Sequence, residues 1–200
     1  MSNSIHQIKH RVNQIEMLNE HNFAWGAEID LRSDVNQPKK IHLSHDAWVK
    51  GDDFEKWLDA FCAKKIQGTL ILNTKEDGLE EHCLEMLTSK SVDNYFFLDT
   101  TIPTLVRLGK KYKKHFAVRY SSFENLQLCI SLKEHASWVW VDCFNRQPVA
   151  VSEVLALKQA GFKVCLVSPE LQGGNDKDLE NFKELIAISD AICTKYLPQI

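Results

Sequence analysis

The chain has 200 residues, 44% apolar and 26% charged, with a formal net charge of −3. Those values suit a single globular domain over residues 1–200 with a sizeable core, and they exclude a polybasic nucleic-acid binder. The one basic run, Lys110-Lys111-Tyr112-Lys113-Lys114, reads as a solvated helix end. No stretch reaches the ~18 apolar residues of a membrane span, and the first residues carry no apolar signal core. The expectation is a cytoplasmic protein with no membrane insertion. The six cysteines (Cys62, Cys83, Cys129, Cys143, Cys165 and Cys193) are scattered, with no CxxC pair. Free, mostly buried thiols are expected, rather than disulfides or a zinc cage.

In chain order, a weak β-like run at residues 5–12 comes first. Residues 26–32 form a clearer strand, with Ala27, Ile29 and Leu31 on one face and Glu28, Asp30 and Arg32 on the other. A hairpin-like return through Ile41 and Leu43 leads to His45-Asp46. Phe54, Trp57, Leu58 and Phe61 then recur at helical spacing. Residues 69–75 follow as a strand, and Leu79, Cys83, Met86 and Leu87 mark the next helix. Further strands are predicted at 95–99, 115–120, 138–143, 163–168 and 191–195. Pro148 and Gly161 punctuate the helix before the seventh strand. Leu179, Phe182, Leu185 and Ile186 mark a helix before the eighth.

Runs such as Trp138-Val139-Trp140-Val141 are continuously apolar, as strands covered on both faces should be. Eight βα units point to an α/β fold, a compact (β/α)8 TIM barrel, with a doubly wound open sheet as the alternative. The barrel would be trimmed at its ends, with a short first connection and no helix after the eighth strand.

Barrel enzymes collect their reactive groups at the C-terminal strand ends. Here those ends carry His10-Arg11, Glu28/Asp30/Arg32, Asn73/Lys75, Asp99, Arg119, Asp142, Ser168/Glu170 and Thr194-Lys195. Glu28 and Asp30 share a face, where two carboxylates repel unless a cation lies between them. A hard divalent ion, Mg²⁺ or Ca²⁺, would answer that need. A salt bridge to Arg32, or an exposed strand end, would answer it as well.

This pattern resembles the glycerophosphodiester phosphodiesterase family and the related phosphatidylinositol-specific phospholipases C. The shared marks are His10-Arg11, Glu28-x-Asp30 followed by His45-Asp46, and Asn73-Thr74-Lys75 where the family typically has Glu-x-Lys. The resemblance implies metal-dependent hydrolysis of a small phosphodiester, such as a glycerophosphodiester or a phosphorylated sugar or polyol. His10 and His45 would be general acid and base, Glu28, Asp30 and Asn73 would bind Mg²⁺ or Ca²⁺, and Arg11 and Lys75 would clamp phosphate. The chain departs from the pattern in Val12 after His10-Arg11, in a shortened loop, and in Asn73, which brings an amide in place of a carboxylate.

The second half offers Arg119, Trp140, Glu170 and Lys195 as candidates for holding the rest of the substrate. Arg119 could bind a second anion or pair internally with Asp142, and Trp140 could stack on a sugar or pack in the core. Two other readings stand beside hydrolysis. One is an inactive or non-hydrolytic barrel that binds a phosphorylated metabolite, and the other is an imine chemistry at Lys195.

Overall fold

A computed structural model describes residues 5–144 and 146–196, the side chains of residues 38 and 176 excepted. The barrel strands are β1 (His6–Lys9), β2 (Gly26–Asp34), β5 (Leu70–Thr74), β6 (Tyr95–Leu98), β7 (Ala117–Tyr120), β8 (Trp138–Val141), β9 (Lys163–Val167) and β10 (Ala191–Thr194). Each expected strand run coincides with one of them, and β2 runs two residues past the expected 26–32. Between β2 and β5 lie β3 (Gln37–Leu43) and β4 (Asp52–Asp53), and β3 runs back antiparallel on β2. The eight barrel strands pair in parallel in the order β7-β8-β9-β10-β1-β2-β5-β6. The fold is therefore a (β/α)8 barrel and not an open doubly wound sheet.

The seam between β6 and β7 is the thin place in the wall. Its backbone pairing is one isolated parallel bridge, Phe97 to Phe116. Side chains sew it at three levels. His115 stacks on Tyr95 at 3.9 Å near the N-terminal end, Phe97 lies against Phe116 at mid-height, and Asp99 pairs with Arg119 at the mouth.

Among the described residues six α-helices cover the outside: α1 (Phe54–Ala63), α2 (Glu80–Ser89), α3 (Ile102–Tyr112), α4 (Leu126–Ser131), α5 (Val151–Gln159) and α6 (Lys183–Ile188). Asp53 caps α1 by accepting from the Lys56 N–H, and Asn125 caps α4 in the same way. Trp57, Leu58 and Phe61 turn the buried stripe of α1 to the sheet. Gly161, at φ 99°, makes the left-handed turn that returns α5 to β9. The predicted helix through Leu179 and Ile186 is instead two pieces, a 3₁₀ segment (Asp176–Phe182) and α6. An Asn175–Asp178 capping box organises the start of the tighter piece. The first crossover is likewise a 3₁₀ turn, Ile15–Asn19, in keeping with the short connection expected. A helix after β10 would involve residues 197–200, which lie outside the described residues.

Two-residue periodicity sorts the side chains. Ile8, Ile71, Phe96, Leu98, Ala117, Trp138, Trp140, Cys165, Val167, Ala191 and Cys193 fill the barrel interior. Their neighbours, such as Ala27, Ile29, Leu72, Val139 and Ile192, pack outward under the helices. Within that interior Phe96 of β6 stacks on Trp138 of β8 at 4.7 Å. Gly26 opens β2 where β1 and the start of the neighbouring strand approach; a Cβ there would collide with the Thr69 carbonyl and the Ile8 side chain. The same periodicity, carried up each strand, points Glu28, Asp30, Asn73, Arg119 and Asp142 into the mouth.

Candidate active site

The site is built from β1 and β2 outward. Past β1 the chain turns at Arg11, which sits in the left-handed region at φ 54°. That turn lets the Arg11 N–H donate to Glu28 Oε2 at 2.8 Å and brings the guanidinium Nε within 3.9 Å of Asp30 Oδ2. Asn13 locks onto Asp30 twice: its Nδ2 donates to Oδ2 at 2.8 Å, and its Oδ1 accepts the Asp30 N–H at 2.8 Å. Glu28 and Asp30 are wholly buried. Register pairs Asp30 with Asn73 on β5, and Asn73 Nδ2 donates to Glu28 Oε1 at 3.0 Å. Two residues on, Lys75 Nζ lies 3.1 Å from Asp30 Oδ1 and 4.0 Å from Asp99 Oδ2.

Burial, then the neighbouring Asp30, pushes the Glu28 carboxyl up to about 7. His10 stands beside it, Nε2 3.8 Å from Glu28 Oε2. Burial and then the Arg11 charge lower its imidazole to about 4, and Lys195 and His45 are near enough to push the same way. His10 is thus neutral near pH 7. His45 is brought to the mouth by clips to β2. The Ser44 N–H donates to Asp30 O, and the Arg32 guanidinium donates to His45 O at 3.0 Å. His45 Nδ1 pairs with Asp46 Oδ1 at 2.8 Å, which leaves Nε2 as its working nitrogen.

Two carboxylates and an amide are the oxygen donors available to a cation. Among the described residues no group of three or more His, Cys, Asp or Glu side chains is placed to hold a metal. The donor set nevertheless fits a hard divalent ion. Asn73 Oδ1 is a buried acceptor with no hydrogen-bond donor, and Asp30 Oδ1 has the Lys75 ammonium at 3.1 Å. Both carboxylates are out of water, and burial together with Asp30 holds the Glu28 carboxyl above its ordinary range. Mg²⁺ or Ca²⁺, held by Glu28, Asp30 and the Asn73 amide oxygen, would satisfy these atoms.

The second half of the mouth is committed to internal contacts. Arg119 donates from Nε and from one terminal nitrogen to Asp99, and from the other to Asp142. Asp142 also accepts from Trp140 Nε1 at 3.0 Å and Gln172 Nε2 at 2.6 Å. Trp140 is 5% exposed, with Arg119 over its ring, so it offers no free face for stacking. Trp138 is buried as well. Glu170 ties β9 to β10 by accepting from Ser168 Oγ, from Thr194 Oγ1 at 2.7 Å and from the Lys195 N–H at 2.9 Å. Lys195 is exposed at the rim near His10.

The structure therefore gathers His10, Arg11, Glu28, Asp30, His45, Asn73, Lys75 and Lys195 around one mouth. Arg119, Trp140 and Glu170 form its supporting wall. The sequence offers Asn13 as an alternative cation ligand and Gln172 as a substrate contact; the folded loops instead bring them onto Asp30 and Asp142. The cysteines are free, and all but Cys62 are buried. No helix among the described residues is long and apolar enough to cross a membrane.

No protein-family model and no curated protein matches this sequence. Solved structures do. A protein assigned as a glycerophosphodiester phosphodiesterase from Galdieria sulphuraria gives a TM-score of 0.74 at 14% identity, covering 96% of this chain and 94% of its own. Two proteins from Agrobacterium tumefaciens C58 are also similar. One, assigned as a glycerophosphoryl diester phosphodiesterase, has a TM-score of 0.69 at 10% identity over 96% and 94% of the two chains. The other, a glycerophosphodiester phosphodiesterase, has 0.64 at 12% over 94% and 95%. At these identities the likeness establishes a shared barrel fold.

Proposed function

We propose that this chain hydrolyses a small phosphodiester with the help of a divalent cation, Mg²⁺ or Ca²⁺. The observation that carries the reading is the meeting of two histidines, two buried carboxylates and three cationic side chains at one barrel mouth. The barrel is of the shape found in solved glycerophosphodiester phosphodiesterases.

Glu28, Asp30 and Asn73 hold the cation, which supplies charge neutralisation at the phosphate when bound. Arg11 binds phosphate oxygens through its fork, and Lys75 and Lys195 add point charges around them. His10 and His45 share the proton work. One takes the proton of the attacking oxygen, from water or from a hydroxyl of the substrate, as the P–O bond forms. The other gives a proton to the leaving alkoxide as the old P–O bond breaks, so a phosphomonoester (or first a cyclic phosphate) and an alcohol result. Asp46 orients His45, and Asn13 orients Asp30. Arg119, Trp140 and Glu170 act as positioning residues. Six free thiols accord with work in the reducing cytoplasm.

The test is turnover of a glycerophosphodiester panel with Mg²⁺, Ca²⁺ or Mn²⁺ and with chelator. His10→Ala and His45→Ala should each lower kcat by about 10²–10⁴-fold with an unchanged circular dichroism spectrum. Asn73 brings no charge and so favours one second reading, a barrel that binds a phosphorylated metabolite without cleaving it. Absence of turnover across the panel and all three metals would establish that reading instead.

A further inference from the structure

Beside the mouth, the loops after β7 and β8 line an open cavity of about 540 Å³, within the roughly 300–1,000 Å³ of a small-molecule site. Asp142 forms part of its wall. Through Arg119 and Asp99 that carboxylate is linked to Lys75, a chain of contacts that runs from the cavity wall to the cradle around Asp30.

The chemistry of the lining narrows what can enter. No lysine or arginine is among the lining residues, so a second phosphate finds no counter-charge. The two carboxylates are already engaged, Asp142 with Arg119, Trp140 and Gln172, and Glu153 with the Tyr120 hydroxyl. Neither therefore calls for a cationic guest. What remains uncommitted is neutral and two-sided. Among the described residues Ser122, Gln127 and Gln147 make no side-chain hydrogen bond, and each can both donate and accept. The same two loops carry two aromatic rings that water would ordinarily drive inward. Phe123 is 77% exposed and Phe144 is 43% exposed, with ring centroids 6.0 Å apart. Phe144 itself lines the cavity.

A guest with hydroxyls around its edge and an apolar C–H face matches both features. We propose that this cavity holds the alcohol portion of the substrate, and that this portion is a neutral polyhydroxylated ring, a pyranose or a cyclitol. Phe144 meets the ring face, while Gln127 and Gln147 read adjacent hydroxyls. The site takes over the stacking role that the sequence suggested for Trp140. Its assignment as a leaving-group subsite rests on the phosphodiesterase reading; its affinity for the ring does not.

The experiment is saturation-transfer NMR with myo-inositol, methyl α-D-glucopyranoside and sn-glycero-3-phosphoinositol. The full chain is compared with His10→Ala, Phe144→Ala and Gln147→Ala. Both changed cavity residues lie on loops, and thermal melts confirm that the variants fold. Ring protons should receive saturation from the wild type and equally from His10→Ala. Phe144→Ala and Gln147→Ala should each weaken the apparent affinity about two- to tenfold. No transfer to either free ring, or transfer that both cavity variants leave unchanged, overturns the assignment. Ring binding that depends on Phe144 and Gln147, in a protein that cleaves no diester, would remove the phosphodiesterase reading and leave the ring site standing.

Discussion

Arg119→Leu tests whether the mouth is held together by its internal charges. In the wild type this guanidinium bridges Asp99 and Asp142, and Asp142 is only 3% exposed. Removing one partner of a buried pair costs roughly 3–5 kcal/mol, because the other charge is stranded. Asp142 keeps its Trp140 and Gln172 donors, and Asp99 is partly hydrated. Both facts draw the expected loss down to about 2–3 kcal/mol, or roughly 4–12 °C in Tm for a chain of this size. The pH dependence carries the sharper information. Burial already holds the Asp142 carboxyl above the ordinary carboxylate range, against the pull of Arg119. Without the guanidinium its folded-state pKa rises further, so the folded protein takes up a proton that the unfolded chain does not. The stability deficit should thus be largest near pH 8 and shrink toward pH 5. Urea denaturation at both pH values, with m checked for constancy, measures it. Adding Asp142→Asn should recover most of the loss. A deficit under about 0.5 kcal/mol at pH 8, or one that grows in acid, would refute the buried-pair argument.

Two further predictions concern the carboxylate pair. With Glu28 raised to about 7 in the folded state, chelator-treated protein should lose stability attributable to this group as pH rises from about 4.5 to 7, by roughly 3 kcal/mol. His10, lowered to about 4, works in the opposite direction below pH 6.5, so the difference between wild type and Glu28→Gln isolates the acid. Millimolar Ca²⁺ or Mg²⁺ should restore the loss in the wild type alone, and parallel pH curves for the two proteins would count against it. Asn73→Glu should shift the Ca²⁺ midpoint of a thermal-shift titration about tenfold lower, since a third carboxylate adds charge where the amide has none. An unmoved midpoint would place the cation elsewhere.

The barrel was readable because several of its strands are continuous apolar runs and because the inward polar groups gather toward their C-terminal ends. The antiparallel return to His45 was readable from Ile41 and Leu43, and the carboxylate pair from its spacing on β2. What could not be read was commitment. Sequence shows that Arg119 and Asp142 both reach the mouth, but only the register of β7 with β8 puts them on each other. Trp140 looks like a stacking platform until Arg119 covers it. Glu170 looks like a ligand until Ser168 and Thr194 claim its oxygens. The division of the last helix also escaped, since its apolar spacing suits both helical windings well enough over one turn. The exposed rings of Phe123 and Phe144 were the overlooked sign, two aromatics in otherwise polar loops.

The β6–β7 seam gives these side chains a second duty. The wall is a split ring, and the clasp at its upper end is made of Asp99 and Arg119. Asp99 also reaches toward the lysine that steadies Asp30. Opening the clasp would therefore slacken the cradle on one side and the wall of the cavity beside Asp142 on the other. On the reading proposed above, the catalytic groups lie on the first arm of the ring and the alcohol subsite on the second. The alcohol end can be re-cut by changing loops on the second arm, while the chemistry on the first stays as it is, provided the clasp holds.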